Sequence, residues 1–518
     1  MRKKCKNSIN AIIVTAFFSA FFSVSASCQT FEIPCQPFEP VYTGPEYSYE
    51  ELSQFYNTRT ASDSLPNDPF LTAQWYLHNF GQPDDKQQNG IPGCDINVFN
   101  AWQAYNPKKE IILAILDSGL DLKHEDINQE VLWVNKGESG TDENGNDKST
   151  NGLDDDQNGY IDDLHGWNFQ RKTPVVQDDQ YHGTHITSLL CAKTNNSLGI
   201  SGGFPFVKIM LVKIFGIGSN LTSEEIASAV KYAVDNGAMV LSNSYGTPSY
   251  TDAMKKGIEY SASKGALFVC ASGNSRKNME LPEEKDYPSC YGIENQLVVG
   301  AVNNRNVSTF ANFGNMVEIS APGENIFSLM PGSKYRSFSG SSQACPMVAA
   351  AAAMIWSQNP EWTWRDVKNS LIKGADQIRG LSKYVKNGLT LNVGNSIKNL
   401  EGKRLPEYDF SKWQTKDYAI ESQHPYWNGK LATFTVAVEG AKRFRMHFTN
   451  IEMEHNGDSL EILDETGNQI EYLNGIFGEC WSEVIEGSSA QLILTANDYV
   501  NAWGFKIDRI QFQGANNR

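Results

Sequence analysis

Between about residues 68 and 400, short apolar runs alternate with stretches of helical periodicity. Each run is continuous and is bounded by polar residues or glycine, which is typical of parallel strands buried on both faces. The predicted strands are Ile111–Leu116, Ile209–Ile214, Ala238–Leu241, Ala266–Cys270 and Leu297–Val302. The pattern therefore predicts an α/β domain in which a parallel sheet is flanked by helices.

One helix in this region has clear boundaries. Thr222 and Glu225 have the spacing of a capping box, in which each residue satisfies a backbone amide of the other. The apolar residues that follow are three and four positions apart, which gives the helix one buried stripe. Gly237 favours termination. We therefore predict a helix over Thr222–Asn236.

After residue 403 the hydrophobic period changes to two. Turn-forming sequences such as Asn456-Gly457 separate the alternating segments, which are Leu431–Val438, Arg443–Phe448, Ser459–Leu463 and Ala490–Leu494. This pattern predicts an antiparallel β-sandwich over residues 407–518, joined to the first domain by a linker at Gly402–Pro406.

The N-terminus has the pattern of an export signal. A basic start precedes the uncharged apolar run Ala11–Val24, which is too short to span a bilayer but fits a signal-peptide core. We predict a signal peptide over residues 1–27 and a secreted, periplasmic or cell-surface protein. A lipid anchor at Cys28 stays open as an alternative to simple secretion. Lipoproteins usually have a branched apolar residue three positions before such a cysteine, whereas this chain has Ser25. Residues 28–67 are interpreted as a short pro-segment or N-terminal extension.

Composition and charge narrow the class of protein. The 518 residues are 40% hydrophobic, which excludes a disordered chain, and 60 acidic residues outnumber 44 basic ones. Loss of the four basic residues of the signal peptide would change the net charge from −16 to about −20. Such a charge argues against a nucleic-acid partner. The nine cysteines show no CxxC or other paired spacing, and we expect them to be mainly buried thiols. A single disulfide stays open as an alternative.

Residues with catalytic chemistry follow the predicted strands or begin helices. Asp117-Ser118-Gly119 and Ser272-Gly273-Asn274 come directly after two strands. His182-Gly183-Thr184-His185 and the segment 340–346, Gly-Ser-Ser-Gln-Ala-Cys-Pro, begin two helices. Because ligands bind at the carboxyl edge of such sheets, we expect these segments to lie near one another.

Together these residues contain the groups that peptide hydrolysis needs. Ser342 is the predicted nucleophile, and His182 is the predicted base that takes its proton. Asp117 would orient the imidazole and stabilise its charged form, and Asn274 would donate to the oxyanion. Each motif alone is weak evidence for catalysis; a serine in such a turn, for example, is more often a helix cap. The four motifs in this order are hard to obtain by chance.

These motifs resemble those of the subtilisin-like serine proteases, the subtilase family. The resemblance covers residues 68–402 and implies a serine endopeptidase that acts on proteins or peptides through an acyl-enzyme; we expect a monomer. Ser341, Gln343 and Cys345 depart from the residues usual in the family, but none is the nucleophile. By the same resemblance, His185 and His124 are structural.

The segment Ser244-Tyr245-Gly246 corresponds to the edge that pairs with substrate in this family. Tyr245 replaces the usual leucine or tryptophan. Two interpretations stay open for its side chain: plain packing, or a wall of the first specificity pocket with a polar tip.

An acidic segment over residues 142–163 holds eight carboxylates and one lysine. Oxygen-bearing residues occupy positions one, three, five and nine of a calcium-loop pattern, with Gly159 at position six: Asp154, Asp156, Asn158 and Asp162. His165 stands where the motif has a bidentate glutamate. The loop would therefore be closed by Asp162, Asp163 or more distant oxygens. We predict a calcium site here; the alternative is a solvated acidic loop.

Two further calcium sites are suggested by resemblance. Asp126, with Asn196 and carbonyls of residues 195–200, matches a structural calcium site of many subtilases. The C-terminal sandwich weakly resembles a CUB-type domain, in which Glu452 or Glu454, Asp458 and Asp498 would be candidate ligands. The alternative for the sandwich is a set of ordinary surface acids.

The sequence thus favours an exported, calcium-stabilised serine endopeptidase with a β-sandwich accessory domain. A transpeptidase or macrocyclase is one alternative, although no large insertion is available to cover the acyl-enzyme. A catalytically silent binding or adhesion protein is the other, against which the intact set of catalytic residues argues.

Overall fold

The computed structural model describes the ranges 35–40, 42–56, 65–218, 221–455 and 457–514. The predicted signal peptide and Cys28 lie outside the described residues. Within them, no helix is long and apolar enough to cross a membrane. The seven described cysteines are buried or half-buried, and none forms a disulfide with another.

A nine-stranded sheet forms the centre of the predicted catalytic domain, residues 68–402. From edge to edge its strands are Asp376–Gln377, Leu389–Thr390, Ile319–Pro322, Gln296–Val302, Leu267–Ala271, Ala238–Asn243, Ile112–Asp117, Lys208–Lys213 and Gly166–Asn168. All neighbouring strands are parallel except the first pair, which is antiparallel. The sheet is therefore mixed at one edge, where the sequence predicted parallel strands throughout.

Helices cover the sheet, as the sequence predicted. They are Val98–Ala104, His182–Cys191, Ser223–Asp235, Asp252–Ser263, Ser341–Gln358, Trp364–Gly374 and Val393–Ile397. Short 3₁₀ turns lie at Pro69–Ala73, Gln129–Val131, Pro282–Glu284, Lys386–Gly388 and Phe410–Lys412. The helix Ser341–Gln358 is buried over nearly its whole length, because its apolar residues cover every face.

The helix predicted over Thr222–Asn236 is confirmed. It runs over Ser223–Asp235, with Thr222 and Asn236 as its capping residues. Both hydrogen bonds of the capping box are present. Gly237 has φ +90°, a conformation that glycine adopts without the strain of a side chain.

The C-terminal region forms two antiparallel sheets around one apolar core. One sheet contains Gln414–Glu421, Gly504–Gly514, Ala441–Glu452, Cys480–Trp481 and Ile485–Glu486. The other contains Leu431–Ala437, Ser489–Thr495, Ser459–Asp464 and Gln469–Leu473. The antiparallel sandwich is thus present, and its four predicted strands are found within a few residues of their predicted bounds.

The sandwich packs directly on the catalytic domain. The Arg276 guanidinium donates from Nε to the Asn474 carbonyl at 2.9 Å and lies 4.1 Å from the Tyr384 ring centroid. Lys383 of the catalytic domain forms a buried ion pair with Glu471 of the sandwich. These contacts hold the sandwich beside the strand edge that carries the catalytic residues.

The N-terminal part of the described chain crosses this same edge. Gln36–Pro37 pairs antiparallel with Tyr245–Gly246. Tyr42–Thr43 and Tyr47–Ser48 then pair with Lys334–Ser339, which also pairs with Ile326–Met330. The helix Tyr49–Tyr56 follows.

Candidate active site

The predicted catalytic residues lie on four elements that meet at the carboxyl edge of the sheet. Asp117 is the last residue of its strand, and His182 is the first residue of its helix. Ser342 is the second residue of the long buried helix, and Asn274 follows the strand Leu267–Ala271. The element order of the fold thus explains why residues distant in the sequence come together.

Asp117 and His182 form a buried pair. His182 Nδ1 lies 2.8 Å from Asp117 Oδ1 and 3.0 Å from Oδ2, and both side chains are at most 2% exposed. Burial alone lowers the pKa of His182, but the charge and hydrogen bond of Asp117 raise it more, so that the net pKa is above the usual 6.5. With Nδ1 held by the carboxylate, Nε2 is the nitrogen available for proton transfer.

Two glycines allow the backbones around this pair to approach closely. A Cβ on Gly119 would lie 2.3 Å from the Val176 carbonyl oxygen, and its φ of +101° also favours glycine. A Cβ on Gly183 would lie 2.2 Å from the Gly119 carbonyl oxygen. These close approaches explain why glycine stands at position 119, two residues after Asp117, and at position 183, directly after His182.

Ser342 and Asn274 are linked through the start of the buried helix. Asn274 Oδ1 accepts from the Ser341 backbone amide at 2.8 Å and from its hydroxyl at 2.9 Å. The Asn274 side-chain nitrogen is thereby turned toward the cleft. Ser342 itself is 1% exposed, and its carbonyl accepts from the Ser244 hydroxyl at 3.0 Å.

A segment from the N-terminal region, residues 35–40, lies across these groups; we call it the strap. The Phe38 amide donates to the Ser244 carbonyl at 3.2 Å, and Gln36 pairs with Gly246. The Ser342 hydroxyl donates to the Phe38 carbonyl at 3.3 Å. Among the described residues, His182 Nε2 has no hydrogen-bond partner. The strap therefore contacts Ser342, the predicted nucleophile, whose hydroxyl is not hydrogen-bonded to His182 in this structure.

The side chain of Phe38 lies in a slot formed by backbone. A Cβ on Gly246 would lie 2.3 Å from the Phe38 ring, and a Cβ on Gly273 would lie 3.3 Å from it. The space for an aromatic ring therefore exists because both positions lack a side chain.

Ser244 and Gly246 thus contact the strap, and Tyr245 lies behind it. Tyr245 is fully buried, and its hydroxyl donates to Asn243 Oδ1 at 2.9 Å. It shares an apolar cluster with Cys35. This position favours the packing interpretation of Tyr245 over a pocket wall with a polar tip.

The two histidines interpreted as structural have buried positions. His185 stacks on Phe338 with ring centroids 4.4 Å apart, and burial lowers its pKa to about 3, so it is neutral. His124 accepts from the Asp126 amide through Nδ1 at 3.2 Å. Neither of these two contacts involves a predicted catalytic residue.

Lys213 is a buried residue near the site that sequence patterns missed. It ends the strand Lys208–Lys213, which lies next to an edge strand of the sheet, and it is 1% exposed. Its ammonium donates to the Ser118 carbonyl at 2.5 Å and to Asp179 at 2.8 Å. It therefore fixes the turn after Asp117. The signal available was its place at a strand end, since a lysine at the end of an apolar run is unusual.

The acidic region brings together three carboxylates; Asp156 belongs to the predicted loop ligands, Asp163 was one of the residues expected to close the loop, and Glu138 was not predicted. Glu138, Asp156 and Asp163 each offer an oxygen, and these oxygens lie within 4.8 Å of one another. Asp154 accepts instead from the backbone amides of Asn158 and Gly159, and Asp162 accepts from that of Gly152. Asn158 lies beside the cluster and donates to Asp163 at 3.2 Å.

The cluster has the chemistry of a hard-cation site. Glu138 is fully buried, and its Oε2 has no hydrogen-bond partner among the described residues. Burial is the main cause that raises the pKa of Asp163 to about 6, and Asp156 raises it further. Burial and the neighbouring acids likewise raise the pKa of Glu138. An all-oxygen set with an unused buried oxygen fits a calcium ion.

The residues of the second predicted calcium site lie together, but the oxygens of Asp126 already accept hydrogen bonds from the neighbouring loop. Asp126 is fully buried and accepts from the Asn196 side chain at 2.8 Å and from the Ile200 amide at 2.9 Å. Burial raises the pKa of Asp126 to about 8. Asp126 thus anchors the loop through hydrogen bonds alone in this structure.

The sandwich acids do not converge in the same way. Both oxygens of Asp458 are used, one by the Tyr426 hydroxyl and one by the Asn497 amide, each at 2.6 Å. Asp498 is exposed and lies beside Gly429. Among the described residues, neither belongs to a cluster of three acidic, histidine or cysteine side chains.

Comparison with known proteins is consistent with this geometry. The model of the subtilase family, Peptidase S8, matches residues 108–402. The "Thermophilic serine proteinase" of Bacillus sp. strain AK1 is 28% identical over 66% of this chain and 76% of its own length. "Subtilisin Savinase" of Lederbergia lenta is 34% identical over 42% of this chain and 79% of its own length.

A third relative is Thermitase of Thermoactinomyces vulgaris, which is 33% identical over 43% of this chain and 77% of its own length. The family match covers more than half of the chain and spans all four catalytic motifs. The chain therefore belongs to the subtilase family and is a subtilisin-like serine endopeptidase.

Proposed function

We propose that this endopeptidase uses Ser342 as its nucleophile, His182 as its general base and acid, and Asp117 as the group that orients and charges the histidine. The observation that carries the proposal is the buried contact between His182 Nδ1 and Asp117 at the edge that also holds Ser342. In this arrangement His182 Nε2 accepts the Ser342 proton as the oxygen attacks the substrate carbonyl.

Asn274 stabilises the negative charge that develops on that carbonyl oxygen. Its side-chain nitrogen faces the cleft because its oxygen is held by Ser341. A donor fixed before the reaction needs no reorganisation as charge forms. The N-terminus of the helix that carries Ser342 adds a favourable dipole. Water then attacks the acyl-enzyme with His182 as base.

The test compares Ser342→Ala with Ser341→Ala. We expect Ser342→Ala to lose casein hydrolysis and labelling by a fluorophosphonate probe. Ser341→Ala removes the hydroxyl that donates to Asn274 and accepts from the Gly273 amide, but the Ser341 backbone amide still holds Asn274, so labelling and at least one-tenth of the activity should remain. Undiminished cleavage by the Ser342 variant would reject the assignment. Mass spectrometry of a long substrate separates hydrolysed products from the joined products of a transpeptidase.

We propose further that calcium stabilises the enzyme, with Glu138, Asp156 and Asp163 as its protein ligands. The ion would supply the positive charge that three adjacent carboxylates lack. Its function here is structural, since these acids hold the acidic region rather than the catalytic residues. The unused Glu138 oxygen supports this ligand set over the one predicted from the loop pattern alone.

Export is the last part of the proposal and rests on the N-terminal sequence. We propose a secreted, periplasmic or cell-surface enzyme, with residues 28–67 as a pro-segment or extension. Radiolabelled palmitate fed to expressing cells tests the alternative of a lipid anchor at Cys28. Labelled wild type and unlabelled Cys28→Ser would favour the anchor, and unlabelled wild type would favour simple secretion.

A further inference from the structure

A cavity of about 680 Å³ lies between the catalytic domain and the sandwich, next to the active site. Asn274, Phe310 and Ser339 line it on the catalytic-domain side. Tyr472 and Asn474 of the sandwich line it on the other side. Clefts that bind small ligands usually measure about 300–1,000 Å³. The cavity is therefore large enough to hold side chains of a bound peptide.

The path of the strap shows on which side of the reacting carbonyl the cavity lies. The Phe38 carbonyl contacts the Ser342 hydroxyl at 3.3 Å, and the next carbonyl of the chain accepts from the Asn274 side chain at 2.9 Å. Farther along, Tyr42 pairs with Ser339. Because Asn274 and Ser339 both line the cavity, it lies on the side of the residues that follow the cleaved bond of a substrate.

Three rings with accessible surface line the cavity. They are Phe310 of the catalytic domain and His455 and Tyr472 of the sandwich. Each residue is half-buried, so each keeps surface that a bound peptide can cover. Removing apolar surface from water is favourable by roughly 25 cal/mol per Å², and aromatic rings offer large areas for such contacts. The rings therefore favour a large side chain over glycine, which has no side chain to cover them.

The sandwich wall of the cavity is fixed to the loop that carries Asn274. Two residues after Asn274, Arg276 donates from Nε to the Asn474 carbonyl at 2.9 Å. The Asn278 side chain donates to the Ile476 carbonyl at 3.0 Å. A wall that is held in place before a peptide binds loses little conformational entropy on binding, so its contacts contribute more fully to affinity.

We propose that the sandwich forms one wall of a subsite for the residues that follow the cleaved bond, so that the enzyme favours polypeptides that extend at least two residues past that bond and carry a large side chain there. The wall consists of His455, Tyr472 and Asn474, which belong to the sandwich and not to the subtilase domain. The inference rests on the proposed catalytic function and gives the accessory domain a part in substrate selection.

The expected effect is on catalysis as well as on binding. Binding energy from parts of a substrate that do not react can be used to orient the reacting carbonyl, so substrates without those parts lose kcat as well as affinity. A p-nitroanilide has no residues past the cleaved bond, and neither does a fluorophosphonate probe. Both therefore report on the catalytic residues without contact to the sandwich wall.

The test measures kcat/KM of the casein-active full chain on three substrates with one common sequence before the cleaved bond. One is a p-nitroanilide, one continues past the bond with two leucines, and one continues with two glycines. We expect wild type to favour the leucine peptide over the glycine peptide about tenfold. Tyr472→Ala should lose this preference, with p-nitroanilide hydrolysis and the rate of fluorophosphonate labelling within about twofold of wild type. Tyr472→Phe retains the ring and should retain most of the preference.

Two further variants keep the test independent of the folding of Tyr472→Ala. His455→Ala changes the other ring of the sandwich wall, in a turn, and should lower the same preference. Tyr499→Ala is the matched control, because Tyr499 is also a tyrosine of the sandwich but is 87% exposed and does not line the cavity. It should cleave all three substrates as wild type does.

The outcomes separate this proposal from the catalytic one. Equal losses on all three substrates in Tyr472→Ala and His455→Ala would overturn the subsite and would assign the sandwich to support of the loop that carries Asn274. Wild type without a preference between the two peptides, or variants that keep it, would also overturn the subsite while the catalytic proposal stands. If folded wild type cleaves none of the substrates and is not labelled, the catalytic proposal itself fails.

Discussion

Two regions of this molecule bury carboxylates in opposite ways. At the active site, Asp117 faces a single histidine, and the opposite charge that this histidine acquires compensates the carboxylate. In the acidic region, Glu138 faces Asp156 and Asp163, so that like charges converge. The comparison teaches that the first site is complete in protein atoms, whereas the second is, in our proposal, completed by a cation.

The largest effect should come from disturbing the compensated pair. Asp117→Asn keeps the shape of the side chain but removes its charge and favours the wrong histidine tautomer. We expect kcat/KM on a fluorogenic peptide to fall by about 10⁴-fold, with little change in Tm. An Asp117→Asn enzyme within tenfold of wild type would show that the pair does not work as a catalytic unit.

A smaller loss should follow from removing the oxyanion donor. Asn274→Leu retains approximate size but lacks the N–H that faces the cleft. We expect kcat to fall about 10²- to 10³-fold, with KM changed much less, because the donor acts mainly in the transition state. An equal loss through KM alone would assign Asn274 to ground-state binding instead.

The acidic region should respond in stability rather than in chemistry. Chelation by EDTA should lower the Tm of wild type, since an ion at 100 times its Kd contributes about 2.7 kcal/mol. The shift in Tm per kcal/mol becomes smaller as a protein becomes larger, and for a chain of this size we expect about 1–2 °C per kcal/mol. Differential scanning calorimetry with and without calcium measures the shift.

Two loop variants identify the ligands. Glu138→Gln should remove the calcium-dependent part of Tm, because it removes the charge of a carboxylate whose Oε2 has no hydrogen-bond partner in the described part of the chain. Glu143→Gln is the matched control, an exposed acid of the same region, and should keep the response. If both variants respond to calcium as wild type does, the proposed ligand set is wrong.

The smallest expected effect concerns pH. The net effect of Asp117 is to raise the pKa of His182, and the proposed mechanism needs neutral His182 as a base. Activity should therefore be lost as the pH falls through a midpoint above 6.5, the usual histidine value. In Asp117→Asn the residual activity should show a lower midpoint. A midpoint unchanged by that substitution would mean that another group controls the profile.

Much of the active site was predictable because its residues lie next to strongly patterned elements. Asp117 ends an apolar strand, and Ser342 begins an apolar helix, so the pattern fixed their place in the fold. The strand bounds differ by one or two residues, since polar strand ends such as Asn243 do not continue the apolar run. The antiparallel edge strand Asp376–Gln377 is only two residues long and gave no pattern.

The acidic region was harder to predict because the proposed ligands come from separate turns. The spacing of Asp154 to Asp162 identified the region, but a local motif cannot contain Glu138, which lies 16 residues before Asp154. Asp154 and Asp162 instead accept hydrogen bonds from backbone amides of the loop. The strand Gln414–Glu421 was not predicted, because it is largely exposed and its sequence has no sustained alternation of apolar and polar residues.

The most direct test of the catalytic account is the position of a covalent adduct. Casein-active enzyme would be treated with a fluorophosphonate, digested, and its peptides fragmented in a mass spectrometer, which distinguishes Ser342 from the adjacent Ser341. The account predicts one adduct, on the Ser342 oxygen, and its absence in a denatured sample. An adduct on another residue that abolishes activity, or full activity in enzyme labelled at Ser342, would contradict it.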